Sequence, residues 1–345
     1  LYHIPQQAEL AHFMVEECVR LPGKVFFGNS GAEANDGLIK LARRFGHACP
    51  GKDGTPRYEV ITFNKSFHGR TLGSMSATAQ PKMHEGYDPL LPGFRYVEFN
   101  DSAALEKAIT PATAAILLEP IQGEGGINPA DRDFLVATER LCREHDLLLL
   151  FDEVQCGFGR AGDLMGWRTI APEIQPDGIS WAKGMGGGVP IGAFWVSDRA
   201  MGDTQGPLSS AMGPGSHGST YGGNPLASTA ALAVLEEIVS EKLASNAAAR
   251  GEDLANAITG WDHPAVAGVR GKGLMIGIQL APAALAVPEG TTPSIHLCNT
   301  LAEAGLLVPP AGPDVIRFLP PLNVTGAECD TALATLRTTL DGLTK

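Results

Sequence analysis

Short, continuous apolar runs alternate along this chain with longer stretches in which apolar residues recur at helical spacing. Residues 25–27, 60–63, 114–118, 147–151, 179–181 and 191–196 form such runs. They predict strands covered on both faces, since a strand with one wet face alternates apolar and polar positions. Residues 5–20, 33–45 and 131–145 read instead as helices, with Leu10, Phe13, Met14 and Val15 near the helical period in the first. Strands alternating with helices predict an α/β domain built on a largely parallel sheet.

After Gly223 the texture changes. Two alanine- and leucine-rich helices are predicted at 224–240 and 243–258, then strands at 266–269, 274–280 and 315–318. The alanine- and proline-rich stretch 282–294 reads as an exposed loop. The expected organisation is an N-terminal helical segment at 1–23, a large domain at 24–234 and a smaller C-terminal α+β domain at 235–345.

Several motifs fall at predicted strand ends, where open parallel sheets collect ligands. Asp152-Glu153-Val154-Gln155 follows the fourth run, and Ala182-Lys183 follows the fifth and leads into a glycine run. A lysine amine forms a Schiff base with an aldehyde, and a carboxylate keeps a pyridine nitrogen protonated so that the ring accepts electrons. Together they point to pyridoxal phosphate. A lone lysine is more often a solvated surface residue, so the case rests on its surroundings.

Those surroundings each carry two readings. Asn29-Ser30-Gly31-Ala32-Glu33 follows the first run, and its small residues would let backbone N–H groups approach a phosphate. Ser30 with Glu33 is also an ordinary capping box. Ser66-Phe67-His68-Gly69-Arg70-Thr71 follows the second run. Phe67 can stack on a planar ring and Arg70 can grip a carboxylate, although a buried phenylalanine and a surface arginine would look the same. Glu119 to Gly126 closes the third run with two carboxylates and a glycine turn, a combination that also caps loops.

Gly157-Phe158-Gly159-Arg160-Ala161-Gly162 is a literal GxGxxG after an apolar strand. A dinucleotide site needs its first glycine to end the strand and its third to lie in an opening helix. Here five residues intervene, and Asp163 to Trp167 is a poor helix former, so the nicotinamide reading is set aside. No Walker-type GxxxxGK[ST] occurs, which removes support for nucleotide phosphoryl transfer.

The 345 residues have a formal charge of −12, which argues against nucleic-acid and anionic-membrane partners. No apolar stretch reaches the roughly 20 residues of a membrane span. Six cysteines lie scattered without CxxC spacing, so no metal site or disulfide framework is expected, and a cytoplasmic protein is.

Taken in order, these strings resemble the class III aminotransferases of the fold-type I pyridoxal phosphate family. The matching segments are Asn29 to Asn35, Phe67 to Thr71, Glu119 to Gly126, Phe151 to Gln155, Ala182-Lys183, His217 to Pro225, and Ile316-Arg317-Phe318 with Pro320-Pro321. They span nearly the whole chain. The resemblance implies a fold-type I architecture and a ping-pong Schiff-base mechanism. It implies that Lys183 is the Schiff-base lysine and proton carrier, and Asp152 the partner of the pyridinium nitrogen. Phe67 and Val154 would flank the ring, Gln155 would lie near its 3′-oxygen, and Glu153 would belong to the same cofactor-binding segment. Gly31 and Ala32 would bind the phosphate, joined by Thr220 from a neighbouring subunit, so a homodimer with shared sites is implied.

For substrate, Arg317 resembles the arginine that holds the carboxylate of 2-oxoglutarate or glutamate, and Glu124 the gate that pairs with it when an ω-amine is the donor. Arg70 would grip the other carboxylate, and Ser219 would complete the substrate set. Gln80-Pro81-Lys82, Pro89 to Phe94 and Val269 to Gly277 are similar to the branch acting on N-acetylornithine. The ornithine and 4-aminobutyrate branches share the core motifs and stay as alternatives. Two departures stand out: Met83-His84 replaces the more usual Tyr-Gln, and the family's N-terminal segment is expected to be missing ahead of Leu1.

Overall fold

The structure is a computed structural model describing residues 2–52, 54–201 and 206–345. Its strands in chain order are β1 (Gly23–Gly28), β2 (Glu59–Phe63), β3 (Phe94–Val97), β4 (Thr113–Leu118), β5 (Ile121–Gln122) and β6 (Asn128–Pro129). Then come β7 (Leu148–Asp152), β8 (Gly178–Trp181), β9 (Gly192–Ser197), β10 (Val266–Lys272), β11 (Met275–Leu280) and β12 (Val315–Phe318). The α-helices are α1 (Pro5–Phe13), α2 (Gly31–Ala48), α3 (Leu72–Ala77), α4 (Ser102–Ala108), α5 (Arg132–Glu144), α6 (Pro225–Ser240), α7 (Leu243–Thr259), α8 (Pro293–Glu303) and α9 (Gly326–Leu343).

Two compact units share the chain. The first comprises Leu1–Pro120, Ala130–Gly157 and Ile170–Glu236, and the second Ile121–Pro129, Phe158–Thr169 and Glu237–Lys345. Two short segments from the middle of the sequence thus belong with its C-terminal third.

The first unit holds a seven-stranded sheet in the order β1-β9-β8-β7-β4-β2-β3. β9 alone runs against its neighbours, and the other six strands point the same way. The expected mostly parallel sheet is therefore present. Its central strands are apolar at nearly every position because both faces are covered. Val60, Ala115, Leu117, Leu148 and Leu150 pack in one cluster with Ala34, Leu38, Leu41 and Phe45 of α2. Phe63, three residues on from Val60 and so on the opposite face, meets Phe134 of α5 edge-on at 5.5 Å. One consequence reaches the chemistry. Leu148 and Leu150 face α2, so the next residue of that alternation, Asp152, faces α2 as well.

The second unit is built on the antiparallel sheet β10-β11-β12 with α7, α8 and α9. Ile276, Ile278, Ile316 and Phe318 of the sheet pack with Leu254, Leu297, Leu301, Leu336 and Leu340 of the helices. No helix among the described residues is long and apolar enough to cross a membrane.

Three local expectations change. The helix expected over 5–20 is α-helical only to Phe13; Met14–Val19 is a π turn that ends at Arg20 in the left-handed conformation, φ 56°. Residues 282–294 are not a plain exposed loop, since Leu285 is buried and bridges to Thr344, and α8 starts at Pro293. β3 escapes an apolar search because Arg95 and Tyr96, at its centre, are exposed.

Candidate active site

Five strands of the first unit, β1, β2, β4, β7 and β8, each deliver a motif to one cavity of about 420 Å³. β1 leads into Asn29, Ser30, Gly31 and Ala32; β2 into Phe67, His68, Gly69 and Arg70; β4 into Glu119; β7 into Asp152, Val154 and Gln155; β8 into Ala182 and Lys183. β9 runs the opposite way, so its start lies at this same edge, and Gly188 to Ile191 complete the lining.

The N-terminus of α2 opens onto the cavity. The Ser30 hydroxyl accepts from the Glu33 N–H at 3.2 Å, as a cap does. Glu33 in turn accepts from the N–H and the side-chain amide of Asn29, at 3.0 and 2.9 Å. Gly31 and Ala32 begin the first helical turn, whose N–H groups have no intrahelical acceptor. A Cβ at Gly31 would lie 2.8 Å from Val154 Cγ1, so glycine is what allows the turn after β7 to press against this helix start.

Asp152 is 3% exposed and tightly held. Its Oδ2 accepts from Asn35 Nδ2 at 2.7 Å and from His68 Nδ1 at 2.8 Å, and its Oδ1 accepts from the Val154 N–H at 3.0 Å. Two donors on one oxygen and one on the other leave Oδ1 room for a further donor. The Asn35 amide has only one workable orientation. Nδ2 faces two acceptors, Asp152 and the His68 carbonyl at 2.7 Å, so Oδ1 must be what receives the Ser180 hydroxyl at 2.6 Å. His68 likewise donates through Nδ1, and its buried Nε2 has no partner among the described residues.

Lys183 follows β8 in a single 3-10 turn, Lys183–Gly186, with φ +47°. A side chain in that region costs roughly 1–3 kcal/mol and persists where the surroundings impose it. Arg70 lies with its guanidinium 5.5 Å from the centre of the Phe67 ring. Glu119 accepts the Phe67 N–H at 3.0 Å and so anchors that loop.

The remaining expected residues lie elsewhere. Glu153 is buried, donates its N–H to the Ser180 carbonyl at 3.0 Å, and does not line the cavity. Ser219 accepts from Asn29 Nδ2 at 3.1 Å and from the Gly222 N–H at 3.0 Å, one residue behind the lining. Thr220 is exposed on the same segment. In the second unit, Arg317 and Glu124 form a two-pronged ion pair, Nη1–Oε1 2.7 Å and Nη2–Oε2 3.2 Å. The GxGxxG string runs through turns with Phe158, Gly159 and Gly162 at positive φ and opens no helix, which removes the dinucleotide reading.

The motifs alone assign no role to Asn35, His68, Glu119 or Ser180. Asn35 carries a usable signal, a polar residue three positions before Leu38 and seven before Ala42 on the buried stripe of α2.

Comparison with known proteins matches these features. The family model "Aminotransferase class-III" covers residues 1–340. The chain is 43% identical over 349 residues to an acetylornithine aminotransferase of Thermosynechococcus vestitus, covering 97% of this chain and 78% of that protein. It is 44% identical over 339 residues to that of Gloeobacter violaceus, again covering 97% and 78%. Among solved structures, an ornithine aminotransferase from Toxoplasma gondii, with PLP at partial occupancy in its active site, superposes with TM-score 0.88 at 30% identity, covering 99% of this chain and 78% of that one. The N-acetylornithine aminotransferase from Stenotrophomonas maltophilia gives TM-score 0.78 at 34% identity, covering 99% and 80%. With its sheet, its strand-end cavity and a family match over nearly all of its length, the chain belongs to the class-III aminotransferases, which use pyridoxal phosphate.

Proposed function

We propose that this aminotransferase moves the terminal amino group of N-acetylornithine to 2-oxoglutarate, a step of arginine biosynthesis in the cytoplasm. The observation that carries the chemistry is the meeting of Lys183 and Asp152 with the α2 N-terminus in one cavity. The substrate reading rests on the names of the relatives that are 43–44% identical.

The cavity residues fit the cofactor. The α2 N-terminus offers the amides of Gly31 and Ala32 to a phosphate, which its dipole also favours. Asp152 keeps acceptor capacity on Oδ1 for a protonated ring nitrogen. Phe67 and Val154 supply flanking apolar surfaces, Gln155 an amide for the ring hydroxyl, and Lys183 the amine for the aldehyde. When bound, pyridoxal phosphate supplies an electron sink that stabilises negative charge on the substrate carbon.

The chain's own residues do the rest. Asp152, held by three hydrogen bonds, is fixed in place to face the ring nitrogen. Lys183, once its amine is free, acts as the base that takes the proton from the amino-bearing carbon, a contribution of roughly 10²–10⁴-fold. Arg317 holds a substrate carboxylate in one half-reaction, and Glu124 neutralises it in the other, because an unpaired buried charge is costly. Arg70 grips the second carboxylate, and Ser219 supports the substrate through Asn29. Thr220 serves the phosphate of a partner subunit in a homodimer; the exposed Tyr221 and Leu226 beside it, at 72% and 74%, support a covered surface there.

The test is the visible absorbance of the purified protein reconstituted with pyridoxal phosphate. N-Acetylornithine should discharge the lysine-bound band at lower concentration than ornithine or 4-aminobutyrate, and 2-oxoglutarate should restore it. Discharge by ornithine or 4-aminobutyrate first would change the substrate and keep the chemistry. Absence of a band in folded protein would overturn the reading.

A further inference from the structure

Strand pairing in the second unit puts three residues in one row. Arg270 of β10 lies opposite Gly277 of β11, and Gly277 lies opposite Arg317 of β12. Residues directly opposite across a sheet share a face. Two arginines therefore flank a glycine on one surface. The turn carrying Glu124 lies over that glycine. A Cβ at position 277 would sit 2.7 Å from the Cβ of Ile127 and 3.3 Å from the carbonyl oxygen of Gly126. Without a side chain at 277, the turn can lie against the sheet.

The two arginines grip the turn in different ways. Arg317 takes the Glu124 carboxylate through Nη1 and Nη2. Arg270 takes backbone: its Nε donates to the carbonyls of Gly126 at 2.8 Å and Ile127 at 3.0 Å. Its Nη1 donates to Gln279 at 2.9 Å, and Gln279 donates to the Asp314 carboxylate at 2.7 Å, just ahead of β12. The turn is sharp, with Gly126 at φ +119° and Ile127 at +52°, and Asn128 closes it through the Gly125 carbonyl at 2.9 Å. The backbone after Glu124 is thus pinned to the sheet by contacts that do not involve the Glu124 carboxylate.

We infer that Arg270 is the positioning residue of the Glu124–Arg317 pair. It anchors the turn so that the pair opens by rotation of the Glu124 side chain alone, and it sets how affinity divides between an amine donor and a dicarboxylate. This rests on the gate role proposed above for Glu124 and Arg317. An anchored turn presents the carboxylate to Arg317 and raises the population of the closed pair. Loosening it lowers that population, which favours a ligand needing Arg317 open and disfavours one needing it neutralised.

The test compares holoenzyme of the wild type, Arg270→Met, Glu124→Gln and the double variant. The two half-reactions are measured separately with N-acetylornithine and 2-oxoglutarate, together with binding of glutarate, an unreactive dicarboxylate. Arg270→Met should lower kcat/KM for the amine roughly fivefold or more, while KM for 2-oxoglutarate and Kd for glutarate fall or hold. Glu124→Gln should shift the same ratio in the same direction, and the double variant should be no further shifted than Glu124→Gln alone. Equal losses on both half-reactions, or full additivity in the double variant, would overturn the inference. A Glu124→Gln variant that leaves the ratio unchanged overturns the gate role itself, and the inference with it. A shift in Glu124→Gln with none in Arg270→Met overturns only the role of Arg270. If Arg270→Met fails to fold, Arg270→Lys keeps the charge without the planar fork and is read in the same way.

Discussion

The two units each carry one carboxylate that the proposed mechanism uses, Asp152 and Glu124, and treat them oppositely. Asp152 is 3% exposed, sits at the end of a central strand, and receives three donors from three different segments. Glu124 sits in a turn, keeps 32% of its side chain exposed, and meets Arg317 through flexible side chains on both sides. Burial normally disfavours a charge, and donated hydrogen bonds to the charged form restore it. Asp152 has three donors in place with no water needed, so its carboxylate is held in one position. Glu124 remains near solvent, so leaving its partner costs it little. In the proposed mechanism, the carboxylate that stays in place is walled in, and the one that comes and goes is left near solvent.

The largest effects should come from the walled-in side. Lys183→Ala should lower turnover by roughly 10²–10⁴-fold or more, measured as single-turnover rate in reconstituted protein. Asp152→Asn keeps the shape and removes the charge. It should cost about 100-fold in the proton-transfer step, roughly 2.7 kcal/mol of barrier. It also sets an amide against the donors of Asn35 and His68. Turnover within a few-fold of wild type would mean that the fixed charge is not what the site uses.

Stability separates the two carboxylate settings next. Asn35→Ala strips a donor from buried Asp152 and orphans the Ser180 hydroxyl, so it should cost about 1–3 kcal/mol in urea unfolding of the apoprotein. Glu124→Gln keeps the volume and leaves an amide oxygen that still accepts from the buried Arg317 with water close by, so it should cost less than Asn35→Ala. Equal costs would erase the contrast between fixed and releasable charge.

Much of this was legible along the chain because the chemistry sits where apolar runs stop. Asp152 ends Leu148–Asp152 and Lys183 lies two residues past Gly178–Trp181, so the ends of two strands named both. The residues that hold Asp152 were harder to see. Asn35 belongs to a helix far upstream, His68 sits unremarked between Phe67 and Gly69, and Ser180 interrupts a strand with a single hydroxyl. What brings them together is the parallel sheet, whose neighbours are distant in sequence. For the same reason nothing local tells that Ile121–Pro129 and Phe158–Thr169 pack with the C-terminal third. By contrast, α9 announces its start with Thr325 and Glu328, a full capping box that the local sequence alone encodes.

The smallest expected effect concerns a group held neutral, which sharpens the comparison from the other side. His217 packs at 4.5 Å from the Phe26 ring and 5.7 Å from the Phe194 ring, and Lys40 Nζ lies 2.8 Å from its Nδ1. Nδ1 therefore accepts from the lysine and the ring proton sits on Nε2. Burial, and then the Lys40 ammonium, push the His217 pKa below its ordinary 6.5, against weaker opposing pulls from Asp36 and Glu33. The sign depends on which state binds the proton. Above 6.5 the imidazole is neutral in both the folded and the unfolded chain, and its contribution is fully present. As pH falls below 6.5 the unfolded chain takes up a proton that the folded one refuses, so stability is lost until the lowered native pKa is reached. His217→Gln should flatten the fall in thermal midpoint just below pH 6.5 relative to wild type, by a few degrees at most. Hydrogen exchange should localise the difference to the segment bearing Ser219 and Thr220. If wild type and variant lose stability in parallel through that range, His217 is not held neutral by its surroundings, and exclusion of charge is not a third setting beside the fixed and the releasable.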